Sequence, residues 1–178
     1  MTEQEMIKGC IQKDASCQRM LFNTYAGKMM TVCLRYACDH AEAEDILQEA
    51  FIRVFTYIAQ YKNEGSFEGW IRRIVVTTAL KVINKRKIRF NELNDVVEGS
   101  AHTESYALTN LSEEELLKMI NALPDGYRLV FNLNAIEGYS HEEIAKMLNI
   151  QPGTSRSQLV KARRMLQDQI KLFQKIAV

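Results

Sequence analysis

Apolar residues recur at helical spacing along most of the chain. Met29, Met30, Cys33, Leu34 and Ala37 trace one face, and Ala43, Ile46, Leu47, Ala50, Phe51, Val54 and Ile58 a second. Trp70, Ile71, Ile74, Val75, Ala79, Val82 and Ile83 form a third. The period fades after Arg89 and resumes at Ser112 with Leu116, Met119, Ile120 and Leu123. Helix-start chemistry sits where these patterns begin. Thr2 with Glu5, Ser112 with Glu115 and Ser140 with Glu143 have capping-box spacing, and Asp14, Asp39 and Ser66 can each cap alone. Gly27 predicts a break in the helix begun at Asp14. Tyr61 to Gly65 reads as a polar loop, Pro124 as a helix end, and Arg128 to Ile136 as a helix stopped by Gly138. With only 2 Pro and 8 Gly in 178 residues, the fold predicted is all-α.

Charge sharpens this picture. The formal net charge is only +1, yet the signs are segregated. Arg72, Arg73, Lys81, Lys85, Arg86, Lys87 and Arg89 follow one another without an acidic residue. Asp39, Glu42, Glu44, Asp45 and Glu49 form an acidic run without Lys or Arg. Between Phe90 and Asn110, Glu92, Asp95, Glu98 and Glu104 stand without a positive partner, as in an acidic linker. Such blocks point to separate partners.

Three segments carry candidate chemistry. Ser140 to Leu148, then Asn149 to Gln151, then a helix opened by Pro152-Gly153-Thr154 with a basic run behind it, has helix-turn-helix grammar. Ile144, Ala145 and Leu148 can pack on Ile150 and Leu159, while Arg156, Gln158, Lys161, Arg163 and Arg164 offer donors to bases or phosphates. An ordinary helical hairpin with a solvated basic face is the plainer reading of that pattern. Asp45, Gln48, Glu49 and Ile52 share one face of the helix after Asp39. A solvated face explains the carboxylates, whereas Ile52 and Phe55 suit a docking surface, so both readings stand. The following helix joins Trp70 to the basic series, a combination that suits a nucleic-acid strand. A tryptophan is nonetheless more often a core residue.

Cys10, Cys17, Cys33 and Cys38 have no paired metal-ligand spacing, and buried free thiols explain them better than a zinc site at Cys33, Cys38 and His40. No signal peptide or membrane-length apolar run is present, so a cytoplasmic protein is expected, with no metal and no cofactor.

The motifs in order are Asp45-Ile-Leu-Gln48-Glu49-Ala-Phe51, Phe67-Glu-Gly-Trp70-Ile-Arg-Arg73-Ile74, Leu123-Pro124 through Tyr127-Arg128-Leu-Val-Phe131, Tyr139-Ser-His-Glu-Glu-Ile-Ala145, and Gly153-Thr154. Together, across most of residues 16 to 170, they resemble the extracytoplasmic-function sigma factors of bacterial RNA polymerase. Each motif alone is weak, and their order and spacing carry the match. The resemblance implies two small helical domains. Sigma domain two would occupy 1–88 and sigma domain four, a four-helix domain with the helix-turn-helix, 111–178, with a flexible linker over 89–110.

By the same resemblance, Asp45, Gln48, Glu49 and Ile52 bind the clamp of the polymerase's largest subunit. Tyr61, Lys62, Asn63, Glu64, Ser66, Trp70, Arg72, Arg73, Lys81, Lys85 and Arg86 recognise and melt the −10 element. Thr154, Arg156, Ser157, Val160, Lys161 and Arg164 hold the −35 element. Promoter DNA and a membrane-anchored anti-sigma factor are the further partners implied. Thr77 and Lys81 stand where family members often have Asn and Asp, so −10 preference does not transfer. Ser155 replaces an apolar residue and is expected to loosen the turn, and Gln158 replaces an Arg that contacts phosphate. The linker, about 75 Å long if fully extended, would just span two turns of DNA, about 70 Å.

A stand-alone helix-turn-helix regulator would explain the carboxy-terminal motif but leave the acidic face and the first basic helix idle. An enzyme or metal sensor finds no nucleophile–base pair, phosphate loop or ligand quartet.

Overall fold

A computed structural model describes residues 2–91 and 112–176, with side chains over 2–86 and 112–173. The chain divides between Asn94 and Asp95 into two compact units. Among the described residues every regular element is helical.

The first unit contains α1 (Glu3–Ile11), α2 (Ala15–Leu34), α3 (His40–Tyr57) with a short 3-10 turn to Gln60, and α4 (Phe67–Asn91). Each start is chemically specified. Thr2 and Glu5 form a reciprocal capping box, Asp14 accepts from the Cys17 amide at 2.9 Å, and Asp39 accepts from Glu42 at 2.8 Å. The Ser66 hydroxyl accepts from the Gly69 amide at 3.1 Å. The three apolar stripes meet in one core, where Leu21, Met29, Cys33, Ile46, Ala50, Val54, Ile71, Val75 and Ile83 are all buried. α1 lies almost backbone to side chain on α2, since a Cβ on Gly9 would stand 2.2 Å from the Cys17 sulfur.

Gly27 does not break its helix, contrary to the sequence expectation; α2 runs unbroken through it. One interior glycine costs about 1 kcal/mol relative to alanine, and Tyr25 and Met29, buried on either side, hold the backbone in place. Gly27 is exposed, and a Cβ there would meet nothing within 4 Å. Gly27→Ala is therefore expected to stabilise the first unit by about 0.5–1 kcal/mol, seen as a higher urea midpoint with unchanged slope.

The second unit comprises α5 (Glu113–Asn121), α6 (Asp125–Phe131) continued by one π turn (Asn132–Ile136), α7 (His141–Leu148) and α8 (Pro152–Ile176). α6 begins at Asp125, three residues ahead of the expected start, directly after Pro124. Its core gathers Ile120, Leu123, Ala162 and Leu166. Ser112–Glu115 and Ser140–Glu143 are both closed capping boxes. Asn149, with φ of 53°, ends α7 in the left-handed region and turns the chain towards α8, which opens on a proline suited to a first helical position. The expected linker, 89–110, overlaps the end of α4 through Asn91; its remainder lies outside the described residues.

Candidate functional site

On α3, packing separates the two faces cleanly. Ala43, Ile46, Leu47, Ala50 and Val54 are buried, while Asp45, Gln48, Glu49 and Ile52 all face outward. Ile52 is 66% exposed, a large apolar side chain without an intramolecular job. Glu49 is bound by Arg53 one turn on, at 2.5 Å. Beside this row, the half-exposed Phe22 ring of α2 meets Phe51 edge-on at 4.8 Å, and Phe55 lies 6.1 Å from Phe51. The face thus combines carboxylates and an amide with exposed apolar surface.

The loop between α3 and α4 is closed and held. The Tyr61 hydroxyl donates to the Gly65 carbonyl at 2.8 Å, and both Asn63 (φ 57°) and Gly65 (φ 84°) adopt left-handed backbone. Lys62, Asn63, Glu64 and Ser66 are exposed. Below them Tyr61, Phe67 and Trp70 form an aromatic group, with Phe67 and Trp70 stacked at 5.7 Å and Tyr61 5.6 Å from Trp70. Phe67 is buried, whereas Trp70 is only half-buried, so it belongs to the core on one side and to the loop surface on the other. Tyr25 meets Phe67 edge-on, and its hydroxyl donates to Glu3 at 2.6 Å. Burial first, and that carboxylate second, push the Tyr25 phenol well above its usual range, so it remains a donor.

Along α4, Arg73, Thr77, Lys81, Asn84 and Lys85 are exposed at the spacing of one helical face. Thr77 donates its hydroxyl back to the Arg73 carbonyl. Arg72 and Arg86 are half-buried. The basic series is partly compensated, contrary to its appearance in the sequence. Arg86 contacts both oxygens of Glu42 at 3.0 Å and also touches Cys38, which ties the lower end of α4 to the first turn of α3. Glu68, in the first turn of α4, binds Lys28 at 2.6 Å. The side chains of Lys87 and Arg89 lie outside the described residues.

α8 presents Thr154, Arg156, Ser157, Val160, Lys161 and Arg164 to solvent and turns Ser155, Leu159, Ala162 and Leu166 inward. Val160 is 67% exposed, an apolar patch within a polar row that suits a thymine methyl. Lys161 lies over the Tyr127 ring at 5.9 Å. Gln158 leans against α6, where a Cβ on Gly126 would be 3.1 Å from its nitrogen, so this side chain serves the helix contact.

Ser155 departs from expectation. It is wholly buried, and its hydroxyl lies 2.8 Å from Nδ1 of His141, so the polar substitution is hydrogen-bonded and does not loosen the packing. That pair, the Glu42–Arg86 pair and the pair of the buried Arg128 with the exposed Asp125 at 3.0 Å were not foreseen. Only the last, at three-residue spacing on one helix, carried a local signal.

Cys10, Cys17 and Cys33 are buried free thiols, and Cys38 is exposed. Burial pushes Cys33 up to about 12 and Cys10 to about 11, so both remain protonated and unreactive. Among the described residues no three His, Cys, Asp or Glu side chains converge on a common point, and no helix is long and apolar enough to cross a membrane.

Comparison with known proteins gives the same division. Residues 21–88 match the model of sigma-70 region 2, and residues 113–166 that of sigma-70 region 4. The extracytoplasmic-function RNA polymerase sigma-E factor of Escherichia coli is 26% identical over 183 aligned positions, covering 96% of this chain and 95% of that protein. Its counterpart in Haemophilus influenzae is 25% identical with 96% of each covered. The sigma factor SigE of Mycolicibacterium smegmatis is 31% identical over 83% of this chain and 59% of its own. Among solved structures, the sigma factor RpoE in complex with the anti-sigma factor NepR from Bartonella quintana shares the fold. Its TM-score is 0.59 at 19% identity, covering 86% of this chain and 96% of that one. CnrH in complex with the cytosolic domain of CnrY gives a TM-score of 0.53 at 15% identity, covering 96% and 97%. Both sigma-70 regions are present in their order, and the sigma-E relatives match over 95–96% of their own length: the chain belongs to the sigma-70 family, in its extracytoplasmic-function group.

Proposed function

We propose a division of labour for this sigma factor, which directs promoter recognition and transcription initiation by RNA polymerase. The α3 face of Asp45, Gln48, Glu49 and Ile52 docks on the clamp of the largest core subunit. The loop residues Tyr61, Lys62, Asn63, Glu64 and Ser66, with Trp70, receive a base from the −10 element. Arg72, Arg73, Lys81 and Lys85 neutralise the separating strands, with Arg86 contributing from within its pair with Glu42. Thr154, Arg156, Ser157, Val160, Lys161 and Arg164 hold the −35 duplex. In this reading residues 1–88 act on the core enzyme and the −10 element, residues 111–178 on the −35 element, and 89–110 connects them. The protein works in the cytoplasm without covalent chemistry, cofactor or metal.

The observation that carries this assignment is the segregation of charge onto separate outward faces within one unit. α3 offers an acidic, partly apolar surface for protein, and α4 a basic stripe for nucleic acid. A stand-alone DNA-binding regulator would need only α7 and α8. An anti-sigma factor, membrane-anchored, is proposed as the third partner, supported by the solved relatives that are held by an anti-sigma factor or by a cytosolic partner domain.

The test compares promoter binding with and without polymerase core. Specific binding and transcription are expected only with core, and equal binding by the chain alone would favour the stand-alone regulator. In the same assay Lys161→Ala should reduce the salt slope of −35 binding by about 0.9, the effect of one lost phosphate contact. Equal binding by wild type and Lys161→Ala at every salt concentration would remove α8 from the interface.

A further inference from the structure

α7 and α8 are joined by two polar links, each fourteen residues apart in sequence. Inside the crossing, Nδ1 of His141 lies 2.8 Å from Oγ of Ser155. Outside it, the Arg156 guanidinium donates to Glu142 at 2.7 Å. Adjacent residues on α7 thus grip adjacent residues on α8. One of the latter is wholly buried and the next is the first basic residue of the DNA-facing row.

Ser155 is wholly buried on the inward face of α8 with Leu159 and Ala162, and the half-buried His141 opens α7 one turn ahead of the buried Ile144 and Ala145. An apolar side chain at 155 would need no partner there. A hydroxyl does, and the imidazole supplies it in either tautomer, because the hydroxyl proton can rotate to donate or stand aside. Dispersion contacts have no preferred direction, whereas a short hydrogen bond is directional and adds a specific constraint on the rotation of one helix on another. The inner link therefore fixes the rotation of α8 about its axis at the turn that would meet DNA. The outer link selects one direction for an otherwise free, exposed arginine.

We propose that His141 and Glu142 are positioning residues for promoter reading: His141 sets the rotation of α8 through Ser155, and Glu142 aims the Arg156 guanidinium at a base edge. The inference rests on α8 being the −35 reading helix. It adds that base discrimination, as distinct from affinity, depends on the first turn of α7. Phosphate contacts supply affinity without sequence information and base-edge contacts supply discrimination, so the two can be lost separately.

The experiment uses the full chain assembled with polymerase core and a duplex library randomised across the −35 element. Preference is read as the ratio of best to singly substituted sequences, and affinity for a scrambled duplex is measured alongside. His141→Ala and Ser155→Ala should each reduce discrimination at the positions under Arg156 by about fivefold or more, leaving scrambled-duplex affinity within about twofold. The double variant should be no worse than either single one, the mark of a shared interaction. His141→Asn, whose amide can place a hydrogen-bonding atom near the Nδ1 position, should restore most of the preference. Glu142→Gln should lower discrimination at the same positions and steepen the salt slope, since a freed Arg156 can settle on a phosphate.

His141→Ala combined with Ser155→Val is the packing control, an apolar crossing that can fold without the bond. It should melt near the wild-type temperature yet read bases poorly. Full discrimination in that control, or additive losses in the His141 and Ser155 variants, would overturn the proposal. So would unchanged preference in every variant. Lys161→Ala separates this failure from a deeper one: if it leaves duplex binding unchanged, α8 is not the reading helix at all.

Discussion

Replacing Asp45 and Glu49 together by lysine should weaken binding to polymerase core by at least about 30-fold, equivalent to about 2 kcal/mol. Both side chains are exposed on the α3 face opposite Ile46, Ala50 and Val54, so the core of the first unit loses nothing. Locally, the lysine introduced at position 49 would face Arg53 across the one-turn spacing that Glu49 now bridges at 2.5 Å. That repulsion costs a few tenths of a kcal/mol, far too little to unfold a helix buried along its other side. At the proposed interface the balance differs. Two like-charge juxtapositions replace two attractive ones, and each costs more in a partly desolvated contact than in water. Ile52→Ala should add an apolar loss of its own, because at 66% exposure this side chain has surface to bury only against a partner. Circular dichroism would confirm an intact helix content, and a core-binding titration would give the affinity. Unchanged affinity in the double variant would mean that the carboxylates are merely solvated and that clamp docking lies elsewhere.

What the sequence made legible was local. A Ser, Thr or Asp cap fixes its helix start through atoms two or three residues away, which is why Thr2, Asp14, Asp39, Ser66, Ser112 and Ser140 all cap as their spacing predicts. The outward face of α3 followed from helical period and that of α8 from the family resemblance, and Ile52 and Val160 both stand exposed. Gly27 was misread because the penalty of one glycine is small beside the burial of the residues flanking it. α6 was misplaced because a proline ending one helix also starts the next.

The pairs that join distant residues were silent for another reason. Glu42 and Arg86 are forty-four positions apart, and nothing in either local sequence says that one will meet the other. Ser155 looked like a defect at an apolar position until His141 arrived from the neighbouring helix. Charge runs in a sequence report charge along an element, but the field a strand of DNA meets depends on what the fold has already neutralised. For α4 this leaves Arg73, Lys81 and Lys85 as its exposed cations among the side chains described, with Arg86 already paired.

Strand opening offers the second large effect, and the structure decides which substitution tests it. Base capture by the 61–66 loop requires a pocket whose hydrogen bonds offset the unstacking of one nucleotide, a cost of a few kcal/mol. Ser66→Ala is a poor probe, because the same hydroxyl caps α4 at 3.1 Å and its loss costs about 1 kcal/mol of helix stability. Trp70→Ala is worse, since its ring stacks on the buried Phe67, against which Tyr25 also packs. Asn63→Gly is clean. Asn63 holds a left-handed backbone at φ 57°, where glycine is at ease and alanine would be strained. The substitution therefore removes the side-chain amide and leaves the loop's path, with its Tyr61–Gly65 closure, in place. Loss of one or two hydrogen bonds to an extruded base should lower open-complex formation roughly tenfold. Closed-complex affinity, set by the −35 duplex and the basic stripe, should stay within about twofold. Permanganate reactivity of unpaired thymines would report the melting, and a competition assay the closed complex. Normal melting by Asn63→Gly on several −10 sequences would exclude base capture through this amide. A parallel fall in closed and open complexes would place Asn63 among the phosphate-side contacts instead.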